Sequence, residues 1–242
     1  MSILRKIIYI LTCTFLCSCA ADYDGYYPIY DNNITMGNFV NGEFITDQGL
    51  SYHIAGQVCD GDLQSIERAM ISCDILSKTD ESRYNIILTG LEEIFTKAPV
   101  DSTSITDTDM LVENPLNLGE VWYSGGYLNM LVSVPIKEDS KQKHLVNLVR
   151  NDENPQEGVY EFTFKHNAHG EVITAQDTAF VQANRYVSFP VSPLFKQDEK
   201  KVQIILKWTS NIEKDGIWTS ATQKNKISLD IERTGYEHKF EE

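Results

Sequence analysis

Val121-Trp122-Tyr123-Ser124-Gly125-Gly126-Tyr127-Leu128-Asn129-Met130-Leu131-Val132-Ser133-Val134-Pro135-Ile136 is the stretch that sets the fold class. Two glycines interrupt an aromatic and β-branched run, and a glycine pair is one of the few dipeptides that closes a two-residue hairpin without steric cost. After the turn, Leu128, Met130, Val132 and Val134 recur at period two, which places them on one face of a strand. The same period returns downstream in Leu145 to Val149, in Tyr160/Phe162/Phe164, in Val187/Phe189/Val191, in Val202/Ile204/Leu206/Trp208 and in Ile227/Leu229/Ile231. About seven strands with polar turns and no long helical stripe predict an Ig-like antiparallel β-sandwich over residues 113–236. Pro190 and Pro193 predict that the strand before Leu194 lies at an edge or stops there.

Working back toward the N-terminus, residues 35–100 show shorter segments. Phe39-Val40 and Phe44-Ile45 flank Asn41-Gly42, a hairpin signal, and Asp47-Gln48-Gly49 makes the next turn before Leu50, Tyr52 and Ile54. Asp62 to Lys78 fits either a helical stripe or a strand; the reading adopted is a turn through Glu67 followed by a strand from Arg68 to Leu76. Tyr84, Ile86 and Leu88 alternate in a further strand. Five strands in about 65 residues suit a small OB-like barrel. Between the two units, Asp101 to Asp109 is polar, aperiodic and rich in Ser, Thr and Asp, so residues 101–112 read as a linker.

The N-terminus carries an address. Arg5 and Lys6 precede an apolar run from Ile7 to Leu16, the layout of a secretory signal. Leu16-Cys17-Ser18-Cys19 follows, the pattern at which a lipoprotein signal (residues 1–18) is cut and Cys19 is lipidated. The run is shorter than the roughly 20 residues a membrane-spanning helix needs, so the expected anchor is lipid. Residues 19–34, polar and tyrosine-rich, read as a tether. The expected location is therefore the cell envelope, at the outer membrane.

Charge and cysteines narrow the partners. The chain carries a net charge of −14, and loss of residues 1–18 removes Arg5 and Lys6 and no acidic residue, giving −16. Such a surface repels phosphate backbones, which argues against nucleic acid as a partner. With Cys13 and Cys17 gone and Cys19 acylated, Cys59 and Cys73 remain, and in an exported protein they can pair across a loop of about 15 residues. Two separate thiols are the alternative.

No sequence motif supplies chemistry. There is no Gly-x-Ser-x-Gly elbow, no cofactor fingerprint, and no base partner in sequence for either cysteine. His166 and His169 stand three apart, but strand periodicity on both sides makes Asn167-Ala168-His169-Gly170 a turn, and further metal ligands are missing nearby. No metal and no cofactor are expected. Candidate ligand contacts are His144 and Asn129, read as meeting across adjacent strands, with Tyr127 beside them, and His166 and Trp122. Trp208 continues an apolar face and reads as core, leaving Trp122 and Trp218 for sugar stacking.

The order of these segments resembles the NigD-like lipoproteins of Gram-negative anaerobes. The resemblance is carried by the signal ending at Cys19, Gly37-Asn38-Phe39-Val40 with Asp47-Gln48-Gly49, Arg68, Arg83-Tyr84-Asn85-Ile86, Thr96-Lys97, Trp122 to Met130, Lys143-His144-Leu145 and Lys165-His166-Asn167-Ala168-His169-Gly170. It implies an OB-like domain joined to a C-terminal sandwich, and a founding member associated with bacteriocin immunity or export. It supplies no catalytic motif. The first strand here is weaker than the family's usual one. The function expected is non-enzymatic binding of a protein or peptide by a lipid-anchored envelope protein, with a surface glycan-binding module as the alternative and a hydrolase the least supported.

Overall fold

The computed structural model describes residues 33–138, 140–151, 156–171, 180–214 and 217–230. Cys19, the signal, residues 19–32 of the tether, the side chain of Trp218 and residues 231–236 lie outside this description.

The first five strands are β1 (Asn33–Val40), β2 (Glu43–Thr46), β3 (Ser51–Gln57), β4 (Arg68–Lys78) and β5 (Arg83–Glu93), closed into a barrel in the order β1-β2-β3-β5-β4. The weak opening strand forms in full and pairs with both β2 and β4. Asn41 (φ 51°) and Gly42 (φ 83°) make the two-residue turn that the Asn-Gly pair predicts, with Val40 facing Glu43. The ambiguous segment resolves as expected, into a short 3₁₀ turn at Leu63–Ser65 and then β4. Phe44, Tyr52, Ala69, Ile71, Cys73, Ile86 and Leu88 fill the barrel.

Cys73 belongs to that core, and Cys59 packs against it from the rim, but the two are not joined by a disulfide. Burial, reinforced by the charge of Asp74, pushes the Cys73 thiol up to about 11. At neutral pH only about one Cys73 in ten thousand is then a thiolate, the reactive form. Maleimide added to the native protein at pH 7 is therefore expected to label Cys59 first and Cys73 only after denaturation. Equal rates at both would contradict a closed barrel, and protection of both until reductant is added would establish the disulfide.

The sandwich follows from β6 (Phe95–Thr96), β7 (Val100–Asp101), β8 (Asn117–Ser124), β9 (Tyr127–Lys137), β10 (Leu145–Arg150), β11 (Val159–Asn167), β12 (Phe180–Pro190), β13 (Lys201–Lys214) and β14 (Ile217–Asp230). One sheet runs β14-β13-β11-β10-β7 and the other β6-β12-β9-β8. The period-two positions meet between them: Leu128, Met130, Val132, Leu148, Phe162, Phe164, Val187, Phe189, Ile204 and Leu206 are all buried, with Phe164 and Phe189 edge-to-face at 5.8 Å. β12 ends on Pro190, which has no N–H to extend a ladder.

Two features differ from the expected plan. The pairing is not purely antiparallel, because β11 and β13 run parallel: the chain leaves β11, crosses to the other sheet for β12 and returns in its starting direction. The boundary also shifts, because residues 95–100, read as the end of the barrel unit, join the sandwich together with Asp101, the first residue read as linker. β6 pairs parallel with β12 in one sheet and β7 pairs parallel with β10 in the other, so residues 95–101 close one side of the sandwich. Lys97 reinforces this, donating its backbone N–H to Ser188 and its ammonium to Asn147 at 2.5 Å. The following residues form 3₁₀ turns at Ser102–Ser104 and Thr108–Leu111, each capped by the aspartate before it.

Candidate functional site

The Gly125-Gly126 turn places the first cluster of polar residues. Both glycines have positive φ, 57° and 87°, and join β8 to β9 as a two-residue hairpin. A Cβ on Gly125 would approach Asp47 Cγ to 2.7 Å, so only glycine lets the tip of this sandwich hairpin lie against the barrel's Asp47.

At that junction Arg68 of β4 is buried, its side chain fully covered. An arginine has five N–H donors, and each has an acceptor here. Nε donates to Ser188 Oγ (3.0 Å); Nη1 donates to Asn38 Oδ1 (3.1 Å) and Asp47 Oδ1 (2.9 Å); Nη2 donates to Asp47 Oδ2 (2.8 Å) and Asn129 Oδ1 (2.9 Å). The guanidinium also lies 3.9 Å from the centre of the Tyr127 ring. Ser124 Oγ donates to Asp47 Oδ2 at 2.5 Å and accepts from Asn129 Nδ2, while Ser188 Oγ donates to Asn129 Oδ1 at 2.7 Å. Asn38 Nδ2 donates to the Tyr127 hydroxyl, whose own ionisation burial makes harder. Barrel residues 38, 47 and 68 and sandwich residues 124, 127, 129 and 188 thus form one network.

Tyr127 and Asn129, read from sequence as ligand contacts, are committed to this junction. Nor do Asn129 and His144 meet, since Asn129 lies in β9 and His144 precedes β10 of the opposite sheet. Trp122 lies beside this region, half-buried and edge-to-face with Tyr186 at 6.2 Å and 79°. Trp208 packs against the core from the other sheet, so the two described indoles do not share a groove.

A second cluster lies at the far end of β9, about 33 Å along the strand. His166 ends the inward-facing series of β11 and is buried. Its Nδ1 is 3.2 Å from the carbonyl of Asn114, and its Nε2 is 3.0 Å from Nδ1 of His144. His144 points its Nε2 toward the Glu171 carboxylate, 3.9 Å from Oε2, and this nitrogen is buried without a hydrogen-bond partner. Glu171 accepts from Ser140 Oγ and from the backbone N–H of Lys137, contacts that hold its carboxyl below the usual range. His169 and Gly170 form the tight turn predicted for this motif, with φ of 48° and 87° and a bond from Glu171 N–H to the Ala168 carbonyl. Lys137, Ser140, Gln142, His169 and Glu171 line an open depression of about 560 Å³. Among the described residues no group of three or more His, Cys, Asp or Glu is placed to hold a metal ion.

Burial pushes His166 down to about 4, helped by its neighbour His144, and lowers His144 as well. Sequence reasoning named both histidines separately but not their pairing, because 22 residues and a strand connection separate them. It also passed over Arg68 as a functional group, although an arginine opening the apolar run Ala69-Met70-Ile71 is itself a signal that the strand starts at a polar junction.

Comparison with known proteins accords with this architecture. Residues 98–232 match the model of the NigD-like C-terminal beta sandwich domain. Similar solved structures include a "putative toxin related protein" from Parabacteroides distasonis, at 18% identity and TM-score 0.61, covering 84% of this chain and 96% of that one. A NigD-like immunity protein from Bacteroides caccae aligns at 18% identity and TM-score 0.58, over 81% of this chain and 93% of that one. A "putative lipoprotein" from Bacteroides fragilis aligns at 11% identity and TM-score 0.58, over 83% and 98%. No curated protein matches the sequence significantly. No helix among the described residues is long and apolar enough to cross a membrane. Since the matched domain spans more than half of its length, this chain belongs to the NigD-like family.

Proposed function

We propose that this chain is a non-enzymatic, lipid-anchored protein of the cell envelope that works by binding a protein or peptide, as bacteriocin immunity or export requires. The observation that carries the reading is the fate of the polar residues in the junction. Arg68, with a full set of side-chain acceptors, is sealed together with Asp47, Asn129 and Ser188 between barrel and sandwich, where its donors are spent on holding the domains together. Surfaces that remain available for recognition include the face around Trp122 and Tyr186 and the loop end around Glu171. Family membership, and structural neighbours described as an immunity protein and a lipoprotein, support the same reading. The signal ending in Leu16-Cys17-Ser18-Cys19 supports the anchor.

Two measurements test this. Radiolabelled palmitate supplied to expressing cells is expected to enter the wild-type protein and not the Cys19→Ala variant; labelling of neither removes the anchor. Photo-crosslinking in intact cells from probes placed at Trp122 and Gln142 is expected to trap a discrete protein partner. Crosslinks only to abundant background proteins count against the reading, and retention on a glycan array instead would transfer it to a surface glycan-binding module.

A further inference from the structure

The hydrogen-bond polarity of the histidine pair can be worked out from one fixed point. The Asn114 carbonyl can only accept, so His166 carries its proton on Nδ1, 3.2 Å away. The neutral His166 ring then has only a lone pair on Nε2, and His144 must donate to it from Nδ1 across 3.0 Å. A neutral His144 donating from Nδ1 has no proton on Nε2. That bare nitrogen, buried and without a partner, faces the Glu171 carboxylate at 3.9 Å, two acceptors with nothing to share.

We propose that this is a single-proton switch: His144 Nε2 takes up one proton and pairs with Glu171, which already holds Ser140 Oγ, so that the existing contact between the segment Ser140–His144 and the turn Ala168–Glu171 gains an ion pair. The proton comes from solvent and forms one N–H bond; no other bond changes, since the imidazolium still donates from Nδ1 to neutral His166. A second proton is refused, because it would place two imidazolium rings in direct contact at 3.0 Å. The charged groups facing the site are arranged for this. His169 on the β11 side opposes a positive charge on His144 and Glu171 favours it, Lys137 at the end of β9 acts on the Glu171 carboxylate, and a charge on His144 works against one on His166. Lys143, beside His144 in sequence, is exposed, as is Glu138 on the rim of the depression. The Glu113–Lys165 pair neutralises itself beyond His166. Uptake of the proton turns two facing acceptors into an internal ion pair behind the depression, so the charge at the loop end, and with it recognition there, changes with pH.

Imidazole ¹⁵N NMR on the purified full chain tests the assignment. At pH 7.5 both His144 and His166 are expected in the Nδ1–H form, the less common tautomer of a free imidazole. On acidification His144 Nε2 is expected to protonate first, with His166 unchanged. An Nε2–H tautomer at His144 at neutral pH, or protonation of His166 before His144, overturns the proposal. Glu171→Gln is expected to lower the His144 midpoint by about 1 pH unit, the size of a lost neighbouring charge. Ser140→Ala, which leaves the carboxylate in place, is expected to retain Nε2 as the titrating atom, showing that loop perturbation alone does not move the proton. An unchanged midpoint in Glu171→Gln, with the near-UV spectrum retained, overturns the ion pair.

Discussion

Arg68→Ala is expected to cost about 3–5 kcal/mol of stability, the range for removing one partner from a buried ion pair and leaving the other unpaired. The substitution strands the Asp47 carboxylate, 3% exposed, with only Ser124 Oγ as a remaining side-chain donor, removes the Arg68 donors from Asn38 Oδ1 and Ser188 Oγ, and leaves Asn129 Oδ1 with Ser188 Oγ alone. Because these groups come from both domains, the loss is expected to uncouple them, so that one thermal transition becomes two. For a chain of this size, a loss of that order corresponds to a shift of about 10 °C in Tm. Arg68→Lys keeps the charge but not the planar fork and is expected to fall between Ala and wild type. The double substitution Arg68→Met with Asp47→Leu removes both charges and is expected to be milder than Arg68→Ala. Calorimetry showing a single transition displaced by less than about 1 kcal/mol in Arg68→Ala would mean that the network does not join the domains.

Stability is also expected to fall between pH 6.5 and pH 4, by up to about 3 kcal/mol, through His166. The sign follows from its depressed pKa. Folded His166 titrates at about 4 while the unfolded residue titrates near 6.5, so on acidification the unfolded chain takes up a proton that the folded one refuses. The stabilisation is present above pH 6.5 and is lost progressively toward pH 4. His144, also lowered by burial, contributes in the same direction. Glu113, Glu171 and Glu199 have depressed carboxyl pKa values, so their losses lie at lower pH, below about 4.5. Urea unfolding measured at pH 7, 5.5 and 4 checks this, and a His166→Asn variant should flatten the profile over that range. A wild-type profile that is flat from pH 7 to pH 4 would contradict a neutral, buried His166.

Strand identity was legible wherever packing follows the two-residue period. Tyr160, Phe162 and Phe164, or Leu128, Met130 and Val132, face the core because alternation on a pleated strand leaves them no other way to be buried together. The Asn41-Gly42 and Gly125-Gly126 turns were legible for a local reason as well: two successive positive φ angles select for those residues. Sheet membership was not. The parallel pairing of β11 with β13, and the recruitment of residues 95–101 to both sheet edges, depend on which sheet the chain enters next, and no local pattern encodes that.

The polar sites divide along the same line. Their residue types were visible in the chain, and Tyr127, Asn129 and His166 could each be singled out as polar groups within apolar strands, with His144 just before one. Their partners were not visible. Arg68 meets Asn129 across 61 residues and Ser188 across 120, and His144 meets His166 across 22. Local rules report how a side chain points from its own strand, whereas a buried charge or an unprotonated nitrogen takes its meaning from whatever the folded chain brings against it. Secondary structure was therefore set by short-range chemistry, while the domain junction and the histidine switch came into being only when the barrel and the two sheets closed on one another.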